Sequence, residues 1–203
     1  MLEHLSGFGP LVYPLVVCSS LIVAIILERS FFLAMATPVP EEWVADLSDG
    51  VSPLDKERRD SLERNRFGRI LLDLLEKGDW PEKEREGYFT LQLSQVEQAL
   101  SRSLPLLRIL ATISPLLGLL GTVFGMIEAF DQISMSHSPV TPALVADGIS
   151  NALVTTAAGL IMAIPALLAH SLFQTRVGKL IQRLTLQLNT INLFIQARHR
   201  KGE

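Results

Sequence analysis

The hydrophobic pattern of the chain consists of three long apolar runs separated by polar segments. The first run, 10–27, contains 18 residues without a charge, and the other two lie within 104–133 and 149–170. A helix rises about 1.5 Å per residue, so about 20 apolar residues cross the hydrocarbon core of a bilayer. The pattern therefore predicts an all-α integral membrane protein with three transmembrane helices, at roughly 10–34, 105–132 and 145–172.

The segments between and after the spans predict helices that extend outside the membrane. Residues 35–104 hold ten Lys or Arg and fifteen Asp or Glu. A partial apolar stripe there predicts a helix that begins near Pro53 and ends at Gly78. In the C-terminal segment 173–203, apolar residues recur at three- and four-residue spacing, so this helix has one apolar side that requires a partner.

The second apolar run is predicted to continue a helix that begins well before it. Asp79 and Glu82 have the spacing of a capping box, which marks a helix N-terminus. From there a helical pattern runs without a break into the apolar run. We therefore predict one long helix over roughly 82–133, bent at Pro105 and Pro115.

The distribution of basic residues predicts the orientation of the spans. All 18 Lys and Arg lie at Arg29, between Lys56 and Arg108, or between Arg176 and Lys201. Segments rich in Lys and Arg near span ends remain on the cytoplasmic side. The helical domain and the C-terminal segment are therefore predicted to be cytoplasmic, and the N-terminus (1–9) and the short loop (133–144) to lie on the outer side.

Composition argues against a soluble enzyme. Hydrophobic residues make up 48% of the chain and the mean hydropathy is +0.33, which is high for a soluble domain. There is no glycine-rich phosphate loop with its lysine, and the four histidines lack metal-ligand spacing. We therefore expect no enzyme activity, no cofactor and no metal site. The basic C-terminal end is interpreted as a determinant of topology, with no role in nucleic-acid binding.

Small residues mark the second and third spans as more than lipid-facing anchors. Gly118, Gly121 and Gly125 lie in the second span, and Gly159 lies in the third. Glycine at a helix surface lets the backbone of a neighbouring helix approach closely. These four glycines are therefore predicted to pack helices against each other.

Polar side chains in the same two spans leave two interpretations open. They are Thr122 in the second span and Asn151, Thr155 and Thr156 in the third. A threonine hydroxyl often bonds a carbonyl of its own helix, so these residues fit helix packing alone. They also fit the polar lining of a pathway for water, ions or a partner's polar group, although the interior of the third span has no ionisable side chain.

Two motifs resemble the MotA/TolQ/ExbB proton channel family. ISPLLGLLGTVFGMIEAF at 113–130 is similar to the family's second-span motif, and DGISNALVTTAAGLIMAIPALLAH at 147–170 is similar to its third-span motif. Three spans in a chain of 203 residues resemble the ExbB/TolQ branch more than the four-span MotA branch. Within that branch, the short chain is more similar to ExbB than to TolQ.

The resemblance implies a role in energy transduction at the bacterial inner membrane. It implies a homopentamer, embedded in membrane lipid, whose second and third spans line a central pore. It also implies a single-span ExbD- or TolR-like partner, which carries an aspartate, and a TonB-like protein that passes the work to outer-membrane receptors. In this scheme the N-terminus and the short loop are periplasmic.

The resemblance also assigns individual residues. Thr122 and Thr156 match the pore threonines that face the partner's aspartate. Asn151 stands where many ExbB proteins carry a glutamate, so this subunit lacks the carboxylate at that position. The implied function is proton conduction that energises TonB-dependent transport. A TolQ-like or gliding-motor stator, or a membrane scaffold that does not conduct, are the alternatives.

Overall fold

The computed structural model describes residues 12–49, 56–135 and 142–202, and their regular secondary structure is entirely α-helical. Three helical segments are long and apolar enough to cross a membrane: Val12–Met35, Glu82–Met135 and Gly148–Arg200. The predictions of an all-α fold and of three candidate spans are confirmed. The exact membrane boundaries and the homopentamer stay predictions, and the predicted N-terminal segment 1–9 lies outside the described residues. In chain order the helices are α1 (Val12–Met35), α2 (Glu41–Asp49), α3 (Lys56–Arg64), α4 (Arg66–Glu76), α5 (Glu82–Ser101), α6 (Leu104–Met135) and α7 (Pro142–Gly202).

The chain divides into two compact units. The first, here called the membrane unit, comprises residues 1–30 and 103–173, and the second, the polar unit, comprises residues 31–102 and 174–203. The 61-residue helix α7 contributes its first part to the membrane unit and its last part to the polar unit.

The membrane unit has a small apolar core where its three helices meet. The core residues come from α1, α6 and α7, and three of them are completely buried alanines or leucines: Leu107, Ala111 and Ala166. Ile22 and Ile25 of α1 pack against this group. Because two of these contacts involve alanine, the helix axes approach closely without a large side chain between them.

An arginine ties the end of α1 to the start of α6. The guanidinium of Arg29 donates to both carboxylate oxygens of Glu28, at 2.9 and 3.0 Å, and to the hydroxyl of Ser103 at 3.0 Å. Its side chain is almost completely buried, whereas half of the Glu28 side chain is exposed. The carboxylate therefore offsets part of the cost of burying the guanidinium.

The polar unit is built around a core of large aliphatic side chains. Helix α4 buries one face, because its apolar residues recur at three- and four-residue spacing, and the C-terminal part of α7 does the same. The apolar side of α7 predicted to require a partner is indeed buried. The core leucines, isoleucines and valines include Leu71, Leu74, Val96, Leu180, Leu184, Leu188, Ile191 and Ile195.

A buried arginine crosses this core. Arg85 of α5 is 2% exposed, and its Nε donates to Asn192 Oδ1 of α7 at 2.7 Å. Its Nη1 donates to the carbonyl oxygens of Gly78 and Trp80, at 2.8 and 3.2 Å. These acceptors are neutral, so the positive charge is held by hydrogen bonds alone.

The predicted long helix over 82–133 is present as the helical segment Glu82–Met135, with a two-residue turn at 102–103 that divides it into α5 and α6. Helix α5 ends at Ser101, and α6 begins at Leu104. Pro105 has no N–H, and its ring collides with the carbonyl of the residue four positions earlier, so the ladder of hydrogen bonds breaks there. It resumes where the Leu107 N–H donates to the carbonyl of Ser103 at 3.1 Å. Pro115, by contrast, is accommodated inside α6.

The predicted capping box at Asp79 is wrong. Pro81 occupies the N-cap of α5, and no side chain caps the helix. The carbonyl of Pro81 accepts the N–H groups of Glu84 and Arg85, at 3.0 and 3.1 Å. Helix α5 therefore begins without a side-chain cap.

The helix predicted to run from Pro53 to Gly78 is two helices within the described residues. Asn65 separates α3 from α4, and its Oδ1 accepts the N–H of Phe67 at 2.9 Å. Asparagine at this position satisfies an N–H group that has no partner inside the helix. Pro53 lies outside the described residues, and α4 ends at Glu76.

Candidate functional site

Helices α6 and α7 approach most closely through glycines. A Cβ atom added to Gly118 would lie 3.0 Å from both the carbonyl oxygen of Thr155 and the Cα of Thr156. A Cβ atom added to Gly121 would lie 2.6 Å from Thr155 Oγ1. A side chain at Gly121 would overlap Thr155, and one at Gly118 would be tighter than most real contacts, so both close approaches depend on the absence of a side chain.

The same close contact continues along both helices. A Cβ on Gly125 would lie 2.9 Å from that of Ala152, and a Cβ on Gly159 would lie 2.6 Å from the carbonyl oxygen of Ser114. All four glycines singled out in the sequence therefore lie in one helix–helix contact.

The structure extends this contact beyond those four glycines. Gly148 faces Ala129, with an added Cβ 2.5 Å from the alanine Cβ, and the completely buried Ser114 lies at the other end. From Ser114 to Ala129 the contact covers about 22 Å of α6 at the usual helical rise. Gly148 was missed because it stands at the edge of the apolar run, although its four-residue offset from Ala152 was a signal.

Thr156 makes a hydrogen bond between the two helices. Its hydroxyl donates to the carbonyl oxygen of Gly118 at 2.8 Å, and the side chain remains partly exposed. Thr122 lies one turn after Gly118, is also partly exposed, and donates to the Leu119 carbonyl at 2.7 Å. Each hydroxyl oxygen can still accept hydrogen bonds, because donation uses only its proton.

Thr155 has a different environment. It is buried in the contact with Gly121, and its hydroxyl donates to the Ala152 carbonyl at 2.6 Å. This placement favours helix packing within one chain, and the pore-lining role of Thr155 stays a prediction. Asn151 lies in the helical backbone of α7, but its side chain is outside the described residues, so its role also stays a prediction.

The middle of this helix pair contains no side chain that can exchange a proton near neutral pH. Neither 109–127 in α6 nor 148–169 in α7 includes Asp, Glu, His, Lys, Arg, Tyr or Cys. In the parts of the chain that the structure describes, no group of His, Cys, Asp and Glu is arranged to hold a metal ion. The polar groups available in mid-span are therefore hydroxyls, backbone carbonyls and the amide of Asn151.

The structure has three candidate spans, and two of them are joined by a glycine contact with hydroxyl groups beside it. These features define the class as a polytopic helical membrane protein. The chain belongs to the MotA/TolQ/ExbB proton channel family, whose sequence profile matches residues 60–185. That match includes α6 and most of α7.

The chain is similar in sequence to relatives of two kinds, biopolymer transport proteins and TolQ proteins. The chain is 31% identical to the biopolymer transport protein exbB1 of Vibrio cholerae over 194 residues, covering 93% of this chain and 85% of the relative. It is 42% identical to the Tol-Pal system protein TolQ of Pseudomonas aeruginosa over 91 residues, covering 45% of this chain and 39% of the relative.

The fold has a counterpart among solved structures. A chain of the Campylobacter jejuni MotAB structure aligns with a TM-score of 0.64 at 18% identity, covering 87% of this chain and 70% of that one. At this identity the alignment supports the helical fold alone.

Proposed function

We propose that the protein is an inner-membrane proton-channel subunit that, with a single-span ExbD-like partner, uses the proton motive force to energise TonB-dependent outer-membrane transport. Family membership and the similarity to biopolymer transport protein exbB1 along most of the chain support this proposal. The proposed assembly is a homopentamer with the N-terminus in the periplasm and the C-terminus in the cytoplasm.

One observation carries the mechanism. Thr122 and Thr156 place hydroxyl groups in the central segments of their spans, 109–127 and 148–169, which contain no side chain able to carry a proton. A proton that crosses this region must therefore travel on water or on a carboxyl group supplied by another chain. Hydroxyl oxygens that accept hydrogen bonds lower the cost of placing such a polar carrier inside the membrane.

The glycine contact suits the same function. Close contact between α6 and α7 leaves little space between the helices, which favours a fixed spacing of their hydroxyl groups. The hydrogen bond from Thr156 to Gly118 fixes the threonine rotamer beside Gly118, one helical turn before Thr122. In the proposed pore, Thr122, Thr156 and the amide of Asn151 solvate the partner's carboxyl group or the water that serves it.

Proton flux into liposomes tests the proposal. The protein is reconstituted together with its single-span partner, a potassium gradient drives protons, and a pH-sensitive dye reports the flux. Thr156→Val and Thr122→Val should each abolish flux, while Thr156→Ser should retain it because the hydroxyl remains. Thr112→Val is the matched control, since Thr112 lies in the same span, is exposed, and bonds only the Arg108 carbonyl of its own helix.

Three results would contradict the mechanism. Flux that survives both valine substitutions would remove the hydroxyl groups from the pathway. Flux that is absent in the native protein and appears only in Asn151→Asp would show that this subunit requires a carboxylate. Equal loss in Thr112→Val would point to general damage. Native mass spectrometry tests the assembly separately: we expect five copies alone and five copies with two of the partner.

A TolQ-like function is the second candidate. It is supported by the 42% identity to TolQ over 91 residues. Co-purification with an ExbD-like or a TolR-like single-span protein separates these two functions. A membrane scaffold, the third interpretation, would bind a partner and show no flux with either.

A further inference from the structure

A cavity with a basic rim lies in the polar unit, where α1 ends. Its volume is about 500 Å³, within the roughly 300–1,000 Å³ that is typical of small-molecule sites. Phe32 and Met35 of α1 contribute to its wall. Its buried apolar lining comes from Phe67 of α4 and from Val96 and Leu100 of α5.

The charged residues that line the cavity are all basic. Arg64 and Arg66 line it, both are exposed, and none of the lining residues is acidic. Among the described residues, neither arginine forms a salt bridge, whereas the neighbouring Arg59 contacts both Glu63 and Glu76. Two guanidinium groups are therefore available to an anion in a chain whose net charge is -3.

The wall that carries the arginines is held against the end of α1. Asn65 stands between them, and its Nδ2 donates to the carbonyl oxygen of Thr37 at 3.0 Å. Its Oδ1 accepts the N–H of Phe67. The backbone between the two arginines is therefore held beside the end of α1.

The position of the cavity along α1 matches the lipid headgroups. About 20 helical residues cross a hydrocarbon core of about 30 Å, and the candidate span Val12–Met35 has 24 residues, so its last turn is long enough to reach the headgroup layer. The headgroup layer adds about 5–7 Å on each side, which corresponds to the segment from Phe32 to Thr37. A ligand in the cavity can therefore keep its acyl chains in the bilayer.

We propose that this cavity binds the headgroup of one anionic phospholipid from the adjacent leaflet. Its phosphate pairs with Arg64 and Arg66, and the first methylene groups of its chains pack against Phe32, Met35 and Phe67. Basic pockets beside membrane spans suit such lipids, because phosphate accepts two-pronged hydrogen bonds from guanidinium groups. The site is separate from the threonines of the proposed pore.

Native mass spectrometry of the full-length protein in detergent tests the proposal. Phosphatidylglycerol and phosphatidylcholine are titrated in parallel, and bound copies per chain are counted. The native protein should prefer phosphatidylglycerol, and Arg64→Gln/Arg66→Gln should lose about 30-fold in its affinity. The matched control is Arg69→Gln/Lys83→Gln, which removes the same charge from exposed residues outside the cavity. It should retain native affinity.

A soluble competitor distinguishes a lipid site from an anion site. Glycerol 3-phosphate has the same phosphate without acyl chains, so it should fail to displace phosphatidylglycerol at millimolar concentration. Full displacement would overturn the proposal in favour of a soluble anion. Equal losses in the two double variants, or none in either, would also overturn it, since the cavity would then contribute nothing beyond net charge. Circular dichroism establishes that both variants remain folded.

Discussion

Different kinds of contact stabilise the interior of the membrane unit and the interior of the polar unit. In the membrane unit, α6 and α7 meet through Gly118 and Gly159, with backbone atoms directly against backbone atoms, and Gly121 lies against the Thr155 side chain. In the polar unit, the buried groups are large, and they include Leu184, Ile191 and the arginine side chain of Arg85. The α6–α7 contact therefore uses small residues, whereas the core of the polar unit consists mainly of large ones.

The surrounding solvent explains the difference. In water, burying a leucine removes apolar surface from the solvent and stabilises the fold by about 1.5–3 kcal/mol. Inside a bilayer the same leucine leaves lipid that is equally apolar, so burial contributes little and close van der Waals packing decides association. The many exposed apolar residues of α6 and α7, such as Leu119 and Ile161, therefore require no protein partner to be stable.

The largest effect is expected from filling the glycine contact. Gly159→Leu would force a side chain into the Ser114 carbonyl and the Gly118 backbone, which cannot move aside. We expect a loss of more than about 3 kcal/mol, or failure of α6 and α7 to associate. Gly178→Leu is the control, because Gly178 lies in the same helix with open space around it. Unfolding of the purified protein in mixed micelles measures both. Equal stability of the two variants would refute the close contact.

A somewhat smaller effect is expected from removing a core leucine of the polar unit. Leu184→Ala should cost about 3 kcal/mol through lost burial and the cavity it leaves. Leu186→Ala, two residues along the same helix, should cost less than about 0.5 kcal/mol, because Leu186 is 60% exposed. Chemical denaturation followed by circular dichroism gives both values. Similar costs would mean that Leu186 is buried by another copy of the chain.

The buried arginine should contribute less than the core leucine. Arg85→Met keeps most of the side-chain volume but leaves Asn192 Oδ1 and the Gly78 carbonyl without their donor. We expect a loss of about 2 kcal/mol. Lys83→Met in the same helix is exposed and should be neutral. The same denaturation experiment applies. A more stable Arg85→Met variant would show that burying the charge costs more than its hydrogen bonds return.

The smallest change in stability is expected at the interhelical hydrogen bond. Thr156→Val retains the shape of the side chain and removes only its bond to the Gly118 carbonyl, so it should cost about 0.6 kcal/mol. The same substitution should nevertheless abolish proton flux. Melting in detergent, compared with that of Thr112→Val, measures the stability term. A drop of several kcal/mol would mean that the flux assay reports unfolding.

The candidate spans and the apolar helix faces were predictable, because they depend on the pattern of many residues. The three apolar runs, taken with their flanking residues, are each long enough for a helix to cross a bilayer, so their existence did not depend on any single contact. The four glycines were recognised because small residues at helical spacing serve few other purposes in a span. The apolar side of α7 was predicted from the three- and four-residue spacing of its apolar residues.

Local helix ends were predicted poorly, because several signals compete within a few residues. Asp79 and Glu82 fit a capping box, yet Pro81 between them takes the N-cap position. Pro105 and Pro115 are the same residue in similar apolar surroundings, but the helix breaks before the first and continues through the second. Such choices depend on a few hydrogen bonds, and each contributes only about 1 kcal/mol.

The periodicity of the chain was sufficient to identify its candidate spans, the apolar side of α7 and the glycines that pack α6 against α7. Which of those residues meet was decided by the three-dimensional packing. Thr155 and Thr156 are adjacent in sequence, but one is buried against Gly121 while the other reaches the Gly118 carbonyl. Neighbouring residues point about 100° apart around a helix, so only the position of the opposing helix can assign them different roles.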